Sequence, residues 1–152
     1  MTKVEITDLK DVAFYLGIQI VRDKPSRQIT LSQENFIKDL LKKFNKASLK
    51  PATTPAVLGY RPVRSTLEAS KDFLLAYQQQ VGSLMYLMTA TRPDISYAVN
   101  VCARYMTNPS LEHQKSLDRI WQYLIYTKTI GLRFKFTATK EESDLVGYCD
   151  SD

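Results

Sequence analysis

One histidine, His113, and two cysteines, Cys102 and Cys149, are the only imidazole and thiol zinc ligands this chain carries. A tetrahedral zinc site needs four ligands at set spacing, so zinc binding without help from outside is excluded. The two cysteines read as reduced structural thiols. No apolar run reaches the ~20 residues that cross a bilayer. The opening Met1-Thr2-Lys3-Val4-Glu5 is polar and mixed in charge, unlike a secretory signal. The expected location is therefore intracellular, cytoplasmic or nuclear, with no membrane partner. A Gly-rich phosphate loop and a credible Ser/His/Asp set are also missing. Close acidic pairs include Glu141-Glu142 and Asp150 with Asp152. The first pair sits in a polar loop and reads as solvated surface. The second, at a strand end, would suit Mg²⁺, although acidic residues in such places are more often simply solvated.

What is present is an ordinary globular composition: 44% apolar and 24% charged residues over a 152-residue chain long enough for one core. Lysine and arginine total 21 against 16 acidic residues, a formal net charge of +5. That excess favours a polyanionic partner, because neutralising phosphates releases their counterions.

The order of elements can be read from apolar spacing and breakers. Phe14 to Val21 is rich in aromatic and β-branched residues, as strands are. Asp23-Lys24-Pro25-Ser26 supplies a turn, and Gln28-Ile29-Thr30-Leu31 completes a β-hairpin. Ser32 is a candidate helix cap, and Phe36, Ile37, Leu40, Leu41 and Phe44 follow at helical spacing, with Lys42, Lys43 and Lys46 where cations suit the helix dipole. From 45 to 69 the periodicity fails around Pro51, Pro55, Gly59 and Pro62, a long loop that also carries Arg61 and Arg64. Ser70 is placed to cap a helix with Phe73, Tyr77, Val81, Leu84 and Met88 on one face. Gly82 within it costs about 1 kcal/mol against Ala, so close packing against a neighbour is expected there. Thr91-Arg92-Pro93-Asp94 restarts a helix, proline and aspartate both suiting its first turn. Ile95, Ala98, Val99, Cys102 and Met106 form its stripe. Asn108-Pro109 stops it, and Ser110 caps the next, which should bury Leu117, Ile120, Trp121, Leu124 and Ile125. Leu132, Phe134 and Phe136 alternate with Arg133 and Lys135, a half-buried strand. A polar loop leads to Leu145-Val146-Gly147-Tyr148-Cys149-Asp150, a second strand that would finish a C-terminal hairpin.

Several residues invite functional readings that plainer ones match or exceed. His113 would suit a phosphate contact or proton shuttle, but with no acid or nucleophile beside it the better expectation is a surface or cap residue. Trp121 would stack a base, yet its spacing with Leu117 and Leu124 favours core packing. Lys42, Lys43 and Lys46 either track a nucleic-acid backbone or keep a helix soluble, and the residues do not separate the two.

Taken in order, the motifs resemble one family. They are Tyr15-Leu16-Gly17-Ile18, Ile29-Thr30-Leu31-Ser32-Gln33, Thr54-Pro55, and Tyr77-Gln78 leading into Val81-Gly82-Ser83-Leu84-Met85-Tyr86-Leu87. Thr91-Arg92-Pro93-Asp94-Ile95-Ser96-Tyr97-Ala98-Val99 follows. Pro109, His113, Tyr123-Leu124, Thr127, Gly131-Leu132 and Leu145-Val146-Gly147-Tyr148-Cys149-Asp150-Ser151-Asp152 complete the set. This resembles the copia-type retrotransposon polyprotein where reverse transcriptase joins ribonuclease H, and it covers nearly the whole chain.

The resemblance implies residues 1–31 as the end of the palm, with Tyr15, Leu16 and Gly17 as the primer grip. It implies 32–130 as thumb and connection helices interrupted by the 45–69 linker, and 131–152 as the start of a truncated ribonuclease H domain. Asp150 matches that enzyme's first metal-binding aspartate, a catalytic and Mg²⁺-binding position. The polymerase's Tyr-x-Asp-Asp string does not occur here, nor do the remaining ribonuclease H acids, so this chain alone is not expected to hold Mg²⁺ productively. Gln114 stands where relatives commonly have Trp, and Ile125-Tyr126 replaces Lys-Gly.

The fold expectation is α+β: a hairpin, a helix, a long loop, three helices and a terminal hairpin. The functional expectation is a piece of reverse transcriptase that holds a template–primer duplex or RNA–DNA hybrid without catalysis of its own. The rest of the polyprotein is a further expected partner. One alternative is a small basic module that binds nucleic acid or protein, and another is an enzyme completed by a chain supplying the missing carboxylates. Trp121, Phe134 and Phe136 are expected to leave an exposed apolar patch that promotes association.

Overall fold

The computed structural model describes residues 12–136, which form a mixed α/β structure of four α-helices and a four-stranded antiparallel sheet. The run read as one strand is two. β1 (Phe14–Tyr15) and β2 (Ile18–Asp23) pair Tyr15 with Ile18 across a two-residue turn. Leu16 and Gly17 both take positive φ, 48° and 78°, which the tightest hairpin turn demands of its central pair. β3 (Gln28–Ser32) pairs with β2, from Asp23 opposite Gln28 to Gln19 opposite Ser32. The connection is held by Asp23, whose carboxylate accepts from the Ser26 amide at 3.3 Å and from its hydroxyl.

Ser32 does not cap the following helix. It is the last residue of β3, so its backbone is extended, and α1 (Glu34–Lys43) starts behind Gln33, which makes no side-chain cap bond. α1 buries Ile37, Leu40 and Leu41 and carries a Glu34–Lys38 ion pair of 2.8 Å on its wet side.

The loop of residues 45–69 contains no helix or strand, but it is pinned along its length to the helices below. α2 (Lys71–Ala90) is capped by Ser70, whose hydroxyl accepts from the Phe73 amide. The expected restart is a 3-10 turn, Pro93–Ile95, running into α3 (Ser96–Ala103), which stops short of Asn108. α4 (Leu111–Thr127) is capped by Ser110 and His113 in a reciprocal box.

The central core cluster is made by Ile37, Leu40 and Leu41 of α1, Tyr77, Val81, Leu84 and Leu87 of α2, Ile95 ahead of α3, Ala98, Val99 and Cys102 within it, and Leu117, Ile120, Trp121 and Leu124 of α4. Trp121 is fully buried, so it takes no part in the expected exposed patch, and Ile125 is only partly buried. Its indole N–H reaches the Gln80 side-chain oxygen at 3.1 Å, the partner a buried tryptophan needs. Gly82 overturns its expectation. A Cβ there would meet no atom within 4 Å, so no close neighbour explains it.

β4 (Leu132–Lys135) lies against β3, Leu31 opposite Leu132 and Gln28 opposite Lys135, and closes the sheet order β1-β2-β3-β4. The strand expected to open a separate terminal hairpin is thus an edge strand of the N-terminal sheet. Its expected partner, 145–150, lies outside the described residues. Gly131 makes the approach feasible, since a Cβ there would sit 2.2 Å from the Leu31 carbonyl oxygen. The register puts Ile18, Ile20, Ile29, Leu31, Leu132 and Phe134 on one face. That face is incompletely covered. Phe134 is 56% exposed and Phe136 beyond it 64%.

Candidate nucleic-acid interface

At Leu16–Gly17 two consecutive residues take positive φ. A leucine in the left-handed region costs about 1–2 kcal/mol, and strain of this kind persists only where surroundings impose it. Here the Tyr86 hydroxyl of α2 donates to the Leu16 carbonyl, fixing the turn against the helix. Phe36 packs edge-on to Tyr86 with ring centroids 5.4 Å apart, bracing it from α1. A Cβ on Gly17 would be 3.9 Å from both Phe36 and the Tyr86 oxygen. Tyr15 and Leu16, 61% and 70% exposed, project beyond this anchor. The turn therefore presents two large side chains from a rigid base.

The same tyrosine leads onto an open face of α2. Leu75, Gln79, Gly82, Tyr86 and Thr89 are all exposed and recur at spacings of four and three, one side of a helix. Gly82 lies in the middle of that row, with open space where a side chain would stand. The glycine costs this helix about 1 kcal/mol and leaves its backbone uncovered at the middle of the row.

The three lysines of α1 and its end have different surroundings. Lys42 and Lys43 are exposed at the end of α1. Lys46 is committed inside the chain, its ammonium 2.7 Å from Asp118, which also accepts from Gln114 at 2.8 Å. A basic cluster that sequence reading missed lies at the far end of the sheet. Arg22 near the end of β2 and Lys24 and Arg27 of the β2–β3 turn lie here, and β4 adds Arg133 and Lys135, which pair with Thr30 and Gln28 on the sheet face opposite to Arg22. The Phe136 amide donates to the Arg27 carbonyl at 2.9 Å, and the Arg27 guanidinium lies over the Phe136 ring. The only hint in the sequence was two basic segments about 110 residues apart, and the β3–β4 pairing is what joins them.

His113 takes part in the helix cap, and it is buried, not on the surface. The Ser110 amide donates to its Nδ1 at 2.8 Å, and the ring stacks on Tyr105 with centroids 4.0 Å apart. Nε2 has no partner in hydrogen-bond geometry. Burial pushes the imidazole's pKa down from 6.5, only partly offset by the Val63 carbonyl and the charge of Glu112. Its neighbours hold the linker: Tyr105 donates to the Pro62 carbonyl at 2.6 Å, and Asn108 to those of Ser65 and Leu67 at 3.4 and 3.1 Å.

Arg92 has the opposite fate from a surface arginine. It is wholly buried, forks onto Asp94 at 2.9 and 2.7 Å, and donates to the Thr127 carbonyl and hydroxyl at 3.0 and 2.6 Å. Burial alone would raise the Asp94 carboxyl, but Arg92 and the Tyr123 hydroxyl outweigh it and hold its pKa below the ordinary value. This cluster ties the end of α2 to the end of α4, and so fixes the helix that presents Tyr86 and Gly82. Cys102 is a buried free thiol, its pKa pushed up to about 11 by burial, and so inert.

Asp150, the implied catalytic and metal position, lies outside the described residues, as do Cys149 and the Glu141-Glu142 pair. Among the described residues no group of three or more histidine, cysteine or acidic side chains is placed to hold a metal ion. No helix among them is long and apolar enough to cross a membrane.

No family model matches the chain, and no solved structure matches it. Curated sequences do. The retrovirus-related Pol polyprotein from transposon TNT 1-94 of Nicotiana tabacum is 37% identical over 97% of this chain, and that from transposon RE1 of Arabidopsis thaliana 36% over 99%. An uncharacterized mitochondrial protein of Arabidopsis thaliana, AtMg00810, is 35% identical over 95% of the chain. The chain spans 11% and 10% of the two polyproteins and 57% of the mitochondrial protein. Over nearly its whole length, then, this chain is homologous to retrovirus-related Pol polyproteins of plant transposons.

Proposed function

We propose that the chain is the part of a copia-type polyprotein that runs from the end of the reverse-transcriptase palm, through thumb and connection, to the start of ribonuclease H. Its task is to hold template–primer nucleic acid, with no catalysis of its own. The observation that carries this reading is the surface formed by the braced Leu16–Gly17 turn and the open glycine row of α2, joined by Tyr86. A duplex minor groove is a shallow surface that needs close backbone approach and contacts indifferent to sequence. Tyr15, Leu16 and Gly17 would then seat the primer strand, with Lys42 and Lys43 adding phosphate contacts. The basic end of the sheet, around Arg27 and Lys135, supplies a second phosphate contact, while Lys46 serves the fold. Asp150 would contribute one carboxylate of a ribonuclease H site, where Mg²⁺ supplies activation of water; the remaining ligands would come from elsewhere in the polyprotein.

Gly82→Ala tests the reading because its two effects have opposite signs. Stability rises by about 1 kcal/mol, since alanine is the better helix residue and meets nothing. Hybrid binding falls several-fold, because the methyl group holds the nucleic acid off the helix. A variant that is stabilised and binds as well as the parent removes α2 from the interface.

A further inference from the structure

Above α3 and α4, the loop of residues 54–61 roofs a cleft of about 790 Å³, within the ~300–1,000 Å³ range of pockets that hold small ligands. The surface described above does not use it. We infer that this cleft takes unpaired nucleotides, a short stretch of single-stranded nucleic acid leaving the duplex. The inference deepens the proposed function and rests on it.

The lining has the composition that task needs. Tyr60 on the roof and Tyr97 on α3 border the cleft, 41% and 74% exposed, and neither ring packs against another among the described residues. Exposed aromatic rings flanking an apolar floor (here Ala98 and Val101) are stacking platforms for bases of any sequence. Arg61 and Lys115 border the same cleft and have no polar partner among the described residues, so both cations remain for phosphate. Arg119 is different: its guanidinium donates to the Thr54 carbonyl and hydroxyl, both at 2.9 Å, and so sets the roof in place. Against these three cations stands one carboxylate, Glu112. The charge balance favours a polyanion over an acid-binding or neutral apolar occupant, and the tyrosines favour one that carries rings. The roof is held at both ends. The Ala52 amide donates to the Gln122 carbonyl at 3.1 Å on one side and Tyr105 holds Pro62 on the other, while Leu58 between them is exposed.

The experiment compares a blunt RNA–DNA hybrid, the same hybrid with an unpaired 5′ extension, and a labelled single strand of oligo-dT, each titrated onto the full chain by fluorescence anisotropy. The proteins are the parent, the Tyr60→Ala/Tyr97→Ala double variant, and Arg61→Glu. Both tyrosines are solvent-accessible, so the fold should survive, and a far-UV spectrum confirms it. The double variant is expected to lose about ten-fold in single-strand affinity, and to lose the advantage of the extended hybrid over the blunt one. Blunt-hybrid binding should stay within about two-fold. Arg61→Glu should weaken the single strand and flatten its salt dependence. Unchanged single-strand binding in all variants, with the blunt hybrid still bound, overturns this cleft while the proposed function stands. Loss of every nucleic acid already in the parent overturns both. A hydrophobic dye that fills the cleft and is not displaced by oligo-dT also overturns it, and marks an apolar-ligand site instead.

Discussion

Arg92 is buried completely and makes four hydrogen bonds, two to Asp94 and two to Thr127. Removing either partner of such a pair strands the other. Breaking a buried ion pair costs about 3–5 kcal/mol, and Asp94 keeps 32% of its side chain in water, which puts Asp94→Asn near the lower end. Arg92→Lys should cost about as much, because an ammonium cannot span the carboxylate and Thr127 in one plane. A domain of this size has about 5–15 kcal/mol in all, so Arg92→Ala is expected to remove a large fraction of the total. Urea unfolding of the parent, Asp94→Asn and Arg92→Lys would measure these losses, with midpoints falling and slopes unchanged. The linkage adds a second signature. Asp94 has a depressed carboxyl in the folded chain, so the stability it contributes is complete above its unfolded value and is lost as pH falls through the folded one. Asp94→Asn should lack that portion of the acid limb. A loss below 1 kcal/mol for both variants would refute the view that this pair locks α2 to α4.

Three other outcomes follow from the same geometry. Gly131→Ala should destabilise by several kcal/mol or detach β4, since a Cβ would stand 2.2 Å from the Leu31 oxygen, and amide exchange of Arg133 and Lys135 would report it. His113 is held neutral, with Nδ1 accepting from Ser110 and its pKa lowered, so the unfolded chain takes up the proton first as pH falls below 6.5. Thermal stability should therefore decline from about pH 6.5 downward, and His113→Gln should lose that limb along with about 1 kcal/mol of cap. Phe134→Ser should reduce any self-association seen by sedimentation without lowering stability much, because its ring is mostly in solvent.

The helices were legible because each buries one stripe: Leu117, Ile120, Trp121 and Leu124 recur at helical spacing and are all in the core. What sequence spacing could not show were the non-local relations. Nothing near Leu132 says that it will pair with Leu31, so the edge strand was assigned to a hairpin of its own. The Leu16–Gly17 turn hid inside an apolar run because leucine is a poor marker for a left-handed turn, and it takes the contact from Tyr86, 70 residues away, to hold it there. Gly82 was given a packing reason that its open surroundings do not supply. Arg92 belongs to a residue type that is usually wet, and only Asp94 and Thr127 together make its burial affordable. In the candidate interface, the turn residues came from the resemblance. The α2 row, the basic sheet end and the cleft came from the fold.

In the proposed function the chain would grip nucleic acid without cutting it. The direct measurement is binding of the full chain to an RNA–DNA hybrid, duplex DNA and single strands across a salt series, with Mg²⁺ present and cleavage followed in the same samples. The account predicts binding that favours the hybrid, weakens linearly with the logarithm of salt, and leaves the RNA intact. No binding at low salt, or Mg²⁺-dependent cleavage by the chain alone, would contradict it.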